Sequence, residues 1–327
     1  MRETSLWDLV GNTPLIYLKE LSEQTNHKIF GKAEFLNPAG SIKDRAAKGI
    51  IQGFELRNEI KTGSTIVEGT AGNTGIALAT LANERGYNLI ITMPDNQSEE
   101  KYAYLRALNV DLRLVKPCPF KDQNHFYHQA KSIADQMDGA VWANQFENTD
   151  NARFHYESTG PEIWKQTEGG VDYFIAAVGS GGTIGGTSKF LKEKNKDIKV
   201  IAADPMGSGI YEFVKNGSFV NEGSSITEGI GIMRETSNFA YGSIDDSLRV
   251  SDQEMIEMAT YLSRSSGLVV GTSAALNVRA SYEFAKTLPG NNKTIVTVLC
   301  DHGSRYANRI FNPTWLKEKQ LQAKSLF

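Results

Sequence analysis

The sequence predicts an α/β protein with two doubly wound domains and mainly parallel sheets. Three observations carry that expectation. Short β-rich runs alternate with amphipathic helical stretches along most of the chain, 327 residues suffice for two domains of ordinary size, and two glycine-rich turns stand where a buried strand passes into a helix.

The strands read in order as KIFGKAEF (28–35), STIVE (64–68), NLIITM (88–93), DLRLV (111–115), AVWANQF (140–146), YFIAAV (173–178), KVIAAD (199–204) and TIVTVLC (294–300). Between them, Ala46, Ile50 and Phe54 recur every four residues with Ala47 and Ile51 beside them, which predicts a helix over 42–58 with one apolar face. Similar patterns predict helices over 75–85, 97–108, 122–137, 183–194, 252–266 and 273–287. No low-complexity linker and no fixed-period repeat divides the chain. The expected division is a smaller domain of 37–148, joined by 1–12, and a larger one of 149–327, joined by 13–36.

A composition of 40% hydrophobic and 22% charged residues is that of an ordinary globular protein, and a net charge of −3 gives no basic surplus for nucleic acid. The two cysteines, Cys118 and Cys300, match no zinc pattern and suit a reducing compartment. His125 and His128 stand one helical turn apart without further ligands nearby, so no metal is expected. MRETSLWDLV lacks the charged and apolar regions of a signal peptide, and no run of about 18 apolar residues occurs, so a cytoplasmic location without membrane contact is expected.

NPAGSIKDRAA (37–47) places a lysine where lysines are uncommon. Asn-Pro-Ala-Gly is turn chemistry, Ser41 is a good N-cap, and Asp44 three residues later makes an acidic variant of the capping box. Lys43 therefore falls in the first turn of a helix, where the positive end of the helix dipole favours the neutral, nucleophilic amine. The turn EGTAGNTG (68–75) offers backbone N–H groups with Thr70, Asn73 and Thr74, which suits a carboxylate or serves as an Asn-Thr cap. In VGSGGTIGGT (178–187), Gly179, Ser180, Gly181, Gly182 and Thr183 form a compact set of donors suited to a phosphate. GxxxxGK[ST] is absent, and Ile184 stands where GxGxxG needs its third glycine, so nucleotide and dinucleotide readings rank low. A poised lysine with a phosphate cradle suggests pyridoxal 5′-phosphate.

LVGNTPL (9–15), NPAGSIKDR (37–45), GTAGNTG (69–75), MPDNQSEEK (93–101), NQFEN (144–148), TGPEIW (159–164), GSGGT (179–183), EGIG (228–231) and GTSAA (271–275) follow one another in this order. As an ordered set they resemble the cysteine synthase and cystathionine β-synthase family of fold-type II pyridoxal-phosphate enzymes, with a tryptophan synthase β-like fold. The resemblance implies that Lys43 is the Schiff-base lysine and that Asn73 contacts the ring hydroxyl. It implies that Gly179 to Thr183 bind the phosphate, that Ser273 faces the pyridine nitrogen, and that Thr70, Ala71, Asn73, Thr74, Gln145 and Gly229 surround the substrate. Ser273 also reads as the N-cap of the helix that follows it.

The implied reaction is β-replacement through an enzyme-bound aminoacrylate, as in cysteine synthase, making cysteine and acetate from O-acetylserine and sulfide. Lys43 is the implied general base, and the 69–75 loop is expected to close on substrate. A homodimer and a serine acetyltransferase partner are implied by resemblance alone. The alternatives are a cystathionine β-synthase-like enzyme, a cysteine desulfhydrase or lyase, and a non-catalytic protein that binds a phosphate ligand.

Several residues depart from the family pattern. Ala71 stands where cysteine synthases usually have serine, and Glu228 and the Asp-Pro of ADPMGS (203–208) look like the cystathionine synthase branch, although no haem segment or regulatory module is present. LCDHGSRYANRIF (299–311) lacks the usual proline and serine, leaving Asp301 as a candidate neighbour of the pyridine. The arginine pair of phosphoserine users is absent after EGI, and Arg234 is displaced from it, so O-acetylserine is the expected donor.

Overall fold

The computed structural model describes residues 3–70, 72–97 and 99–326. In chain order the elements are β1 (Leu15–Tyr17), α1 (Lys19–Thr25), β2 (Lys28–Ala33), α2 (Lys43–Leu56), β3 (Thr65–Gly69), α3 (Asn73–Arg85), β4 (Asn88–Pro94), α4 (Glu99–Ala107), β5 (Asp111–Val115), α5 (Phe126–Gln136), β6 (Ala140–Trp142), α6 (Asp150–Glu157) and α7 (Thr159–Gln166). They continue as β7 (Tyr173–Ala177), α8 (Gly182–Lys194), β8 (Lys199–Pro205), α9 (Ile210–Asn216), β9 (Asp246–Val250), α10 (Asp252–Ser265), α11 (Thr272–Thr287), β10 (Thr294–Leu299) and α12 (Pro313–Glu318).

Two sheets result. One has six strands in the order β1-β2-β10-β7-β8-β9, and the other has four in the order β5-β4-β3-β6. Every pairing is parallel except that of β1 with β2. Alternate residues of a strand face opposite sides of its sheet. Ile175, Ile201 and Ile295 accordingly pack with Met255, Leu262 and Leu276. Their neighbours Phe174, Val200 and Val296 pack on the other face with Ile184 and Leu191. In the smaller sheet Ile66 and Ile91 join the core of α2 and α3, while Val67 and Ile90 join that of α5. Burial on both faces explains why these strands read as continuous apolar runs. Among the described residues no helix is long and apolar enough to cross a membrane.

The chain passes between these cores at one informative point. Ile42 is buried in the core of the larger sheet, whereas Ala47, Ile50, Ile51 and Phe54 are buried in that of the smaller one. Lys43 lies between the two.

Some expected boundaries shift for local reasons. The strand expected over 140–146 ends at Trp142, because Asn144 adopts a left-handed φ of 47° and turns Gln145 inward. The strand expected over 28–35 stops at Ala33, after which Glu34–Leu36 form a single 3₁₀ turn and the Glu34 carboxylate takes the Arg45 guanidinium. β1 is only three residues long and β9 reads DSLRV, so neither has a distinctive apolar pattern.

Candidate active site

The start of α2 is built by Asp44. Its Oδ2 accepts from the Ser41 N–H at 3.2 Å and its Oδ1 from the Ala39 N–H at 2.6 Å, while Ser41 Oγ accepts from the Lys43 N–H at 3.2 Å. The cap position itself is held by Ile42, so Ser41 is not the N-cap that the sequence suggests; it stands one residue earlier, and Asp44 folds the turn back onto it. Burial pushes the Asp44 carboxyl up to about 6.

Behind this turn lies a buried ion cluster. Arg45 meets Glu34 through Nε at 2.7 Å and NH2 at 2.8 Å, and meets Glu162 of α7 at 2.7 Å through each of NH1 and NH2. Lys32 reaches Glu162 at 2.6 Å, Thr13 donates to Glu34 at 2.6 Å, and the Asn12 N–H donates to Glu162 at 3.0 Å. Charges this deep are stable only when paired, so the cluster fixes the direction in which α2 leaves.

Lys43 itself is partly buried, and within the described residues its amine forms no hydrogen bond or ion pair. Burial lowers its pKa from the ordinary lysine value, opposed by Cys300 and Asp301. Those neighbours arrive from the end of β10, where the Ile42 N–H donates to Cys300 O at 2.8 Å and Ser41 pairs with Asp301 as an isolated bridge. Burial pushes the Cys300 thiol up to about 12, and Ser273 stands within its hydrogen-bonding reach.

The second wall is the turn before α8. Gly181 has φ 88°, and a Cβ on it would lie 2.5 Å from the Phe239 backbone nitrogen. A Cβ on Gly179 would meet Gly229 O at 2.1 Å, and one on Gly182 would meet the Asn151 side chain at the same distance. The glycines let the EGIG segment and Asn151 close around a cup at the positive end of a 13-residue helix. Asn151 donates to Ser180 Oγ at 3.0 Å, and Thr183 Oγ1 lies 3.3 Å from His155 Nε2. Burial, with Arg45 and Lys43 adding repulsion, holds His155 well below its ordinary pKa and therefore neutral. Lys43 thus stands between Asp301 and the cup.

The third wall is the loop after β3. Thr70 is buried, and its Oγ1 accepts from the Gly72 N–H at 3.3 Å. Thr74 donates to Gln145 Oε1 at 2.6 Å, and Gln145 Nε2 donates to Glu68 Oε1 at 3.0 Å. Asn73 reaches across to Asp301 at 2.7 Å. Neither Asn73 nor Thr74 therefore acts as a helix cap; Gly72 holds that position. Ala71 lies outside the described residues.

Ser273 is the second residue of α11, with Gly271 at the cap position, so the N-cap alternative does not hold. Gly229 is exposed at the rim with φ 72°. The Asp301 carboxylate is turned to Asn73 and to Tyr306, whose hydroxyl donates at 2.8 Å, and makes no hydrogen bond to Ser273. Sequence reasoning passed over Glu68, Asn151, His155 and Arg305. Glu68 carried a legible signal, a carboxyl at the end of an otherwise apolar strand; the others carried none, being brought in by helices and a tail with no motif of their own.

The family model for pyridoxal-phosphate dependent enzymes matches residues 6–301. The chain belongs to that family. Among the family's members, cysteine synthase 1 of Neurospora crassa is 47% identical over 317 residues, covering 95% of this chain and 84% of the relative. The crystal structure of an O-acetylserine dependent cystathionine β-synthase from Helicobacter pylori superimposes with a TM-score of 0.84 at 32% identity, covering 94% of this chain and 98% of that one. A hydrogen sulfide-producing enzyme from Fusobacterium nucleatum gives a TM-score of 0.85 at 30% identity over 94% of this chain and 98% of its own.

The residues present fit the family's cofactor. The cup supplies backbone and hydroxyl donors with no side-chain obstruction for a phosphate, and Lys43 supplies an amine made nucleophilic by burial. The pyridoxal-phosphate dependent enzymes thus include this chain both by family and by the chemistry of its donors.

Proposed function

We propose that the chain is a cysteine synthase that replaces the acetoxy group of O-acetylserine with sulfide, releasing cysteine and acetate. The observation that supports this most strongly is the convergence of Lys43, the 179–183 cup and the Thr70–Asn73–Thr74–Gln145 wall on one site.

Bound pyridoxal phosphate supplies an electrophilic aldehyde carbon and a ring that takes up negative charge from the substrate Cα. The chain does the rest. Gly179 to Thr183 would hold the phosphate, and Asn73 would contact the ring hydroxyl. Ser273, a neutral hydroxyl, would be the partner of the ring nitrogen in place of a carboxylate, which would limit how much charge the ring accepts. Thr70, Asn73, Thr74 and Gln145 would hold the substrate carboxylate, with Gly229 bordering it; Ala71, expected there too, lies outside the described residues. Lys43 would hold the cofactor through its aldehyde, and its amine would serve as the general base that takes the substrate Cα proton and gives it back. Closure of the 69–75 loop excludes water while the acetate leaves.

The donor assignment is supported by Arg234. Its guanidinium is paired with Glu147 and stacked against Phe120, Tyr127 and Phe146, so it is not available for the phosphate of phosphoserine. A second reading, with an amino-acid thiol such as homocysteine as acceptor, is favoured by Glu228. This carboxylate lies in the EGIG segment, is paired with Lys101 at 2.6 Å and with Arg309, and is available to an incoming ammonium only when both pairs open. A homodimer, docking by serine acetyltransferase and a cytoplasmic location belong to the same proposal; light scattering with and without the acetyltransferase tests the first two.

Borohydride reduction of the yellow holoenzyme followed by peptide mapping should place the label on Lys43, and Lys43→Ala should lose both label and turnover. Label elsewhere would overturn the proposal. Product analysis with O-acetylserine and either sulfide or homocysteine separates the two acceptors.

A further inference from the structure

Asn73 is held from two sides by residues of the tail that follows β10. Its Nδ2 donates to Asp301 Oδ2 at 2.7 Å, and its Oδ1 accepts from Arg305. A carboxylate only accepts and a guanidinium only donates, so the partners themselves determine which way the amide points. The second Nδ2–H of Asn73 has no hydrogen-bond partner among the described residues, and it can only donate.

The holding residues are themselves fixed. Asp301 is fully buried, its backbone accepts from the Gly271 N–H at 3.1 Å, and it bridges to Ser41, two residues before Lys43. Its Oδ2 also accepts from Tyr306 at 2.8 Å, and its Oδ1 approaches Gly271 so closely that a Cβ there would lie 2.1 Å away. Arg305 continues past Asn73 to donate to Ala39 O in the turn that leads to Lys43. Asn73 opens α3 beside the four-stranded sheet, whereas Asp301 and Arg305 follow the last strand of the six-stranded one. The clamp therefore ties the substrate loop to the Lys43 turn.

We propose that Asp301 and Arg305 are positioning residues that lock the Asn73 amide with a single N–H toward the cofactor and couple the 69–75 loop to the Lys43 turn. The proposal rests on the reading of Asn73 as a cofactor contact. It goes beyond that reading in assigning the orientation of the amide to two residues that reach the cofactor only through Asn73.

A double-mutant cycle on the holoenzyme tests it, read by the dissociation constant for pyridoxal phosphate in equilibrium dialysis and by the absorbance maximum of the bound cofactor. Asp301→Ala should weaken cofactor binding by about tenfold, the factor that 1.4 kcal/mol produces, since a hydrogen bond to a charged partner is lost. In an Asn73→Ala background the same change should cost less than about twofold, because the group it acts through is gone. Arg305→Met, at a partly exposed position, should show the same coupling and serves where burial makes Asp301→Ala fold poorly. Equal effects of either substitution in both backgrounds would overturn the proposal and reveal a structural role independent of Asn73. Failure of the underlying reading is distinguishable, since Asn73→Ala alone would then leave both the dissociation constant and the absorbance maximum of the bound cofactor unchanged.

Discussion

Glu68 gives the structure its sharpest pH signature. It stands in the last turn of β3 with its carboxyl fully buried, accepting from Gln145 Nε2 at 3.0 Å and from the Gln145 N–H at 3.4 Å. Burial pushes this carboxyl up from 4.5 to about 8, the hydrogen bonds opposing only in part. In the unfolded chain the group titrates at its ordinary value, so between those two pH values the folded protein holds a proton that the unfolded chain has released. Stability from this group is therefore complete below pH 4.5 and drains as pH rises through 8, by about 1.4 kcal/mol per unit and about 5 kcal/mol in all. Glu68→Gln keeps a neutral side chain of the same size that can still accept from Gln145, and removes the titration. In urea unfolding, the stability of Glu68→Gln relative to the parent should climb by about 1.4 kcal/mol per pH unit between pH 6 and 8, then level off. Through the Glu68–Gln145–Thr74 chain the same ionisation places negative charge behind the proposed substrate-carboxylate site. KM for O-acetylserine should accordingly rise above pH 8 in the parent and stay flatter in the variant. A stability difference that does not change from pH 6 to 9 would refute the assignment.

Three further outcomes are expected. Glu162→Ala strips a carboxylate from both Arg45 and Lys32 and should destabilise the protein by about 3–5 kcal/mol in urea unfolding. Arg45 and Lys32 hold the Glu162 carboxyl down to about 2, so its contribution is present above its ordinary 4.5 and should vanish as pH falls toward 2, which acid titration of the parent would follow. Gly179→Ala sets a methyl against Gly229 O at 2.1 Å, so the EGIG backbone must shift; it should weaken pyridoxal phosphate binding, read by dialysis, and also lower the unfolding midpoint of the apoprotein. Thr74→Val removes the 2.6 Å hydrogen bond to Gln145 and should raise KM for the amino-acid substrate roughly fivefold, the factor of about 1 kcal/mol, with a smaller change in kcat.

The alternating strands and helices were legible because the central strands of both sheets are buried on both faces and read as apolar runs, whereas the edge strands β1, β5 and β9 are shorter in apolar pattern and more exposed. The first turn of α2 was equally legible, since Ser41 and Asp44 act within four residues of one another. What could not be read were contacts closed over long separations. The bonds Asn73–Asp301, Gln145–Glu68 and Arg45–Glu162 join residues 228, 77 and 117 positions apart, and no local period encodes them. α6, α7 and α9 were passed over for a different reason, being short helices of seven or eight residues with little room for a periodic pattern to stand out.

Two of the family-like motifs have no reacting atom of their own, and the ion cluster explains why they accompany the one that holds the lysine. LVGNTPL supplies Thr13 to Glu34 and the Asn12 N–H to Glu162, TGPEIW supplies Glu162 itself, and NPAGSIKDR supplies Arg45 beside Lys43. An amine in the first turn of a helix is useful as a nucleophile only if that turn cannot rotate, because a displacement of about an ångström at a reacting atom can lower the rate a hundredfold. Arg45 follows Lys43 by two residues and is gripped by two carboxylates with no exposed surface of its own, so α2 cannot turn about its axis without stripping a buried charge of its partners. Removing one partner of such a pair costs several kcal/mol, more than most single contacts at the site supply. The cluster therefore belongs to the aim of Lys43 as much as to the stability of the fold, and the motifs travel together because one buried guanidinium needs all three.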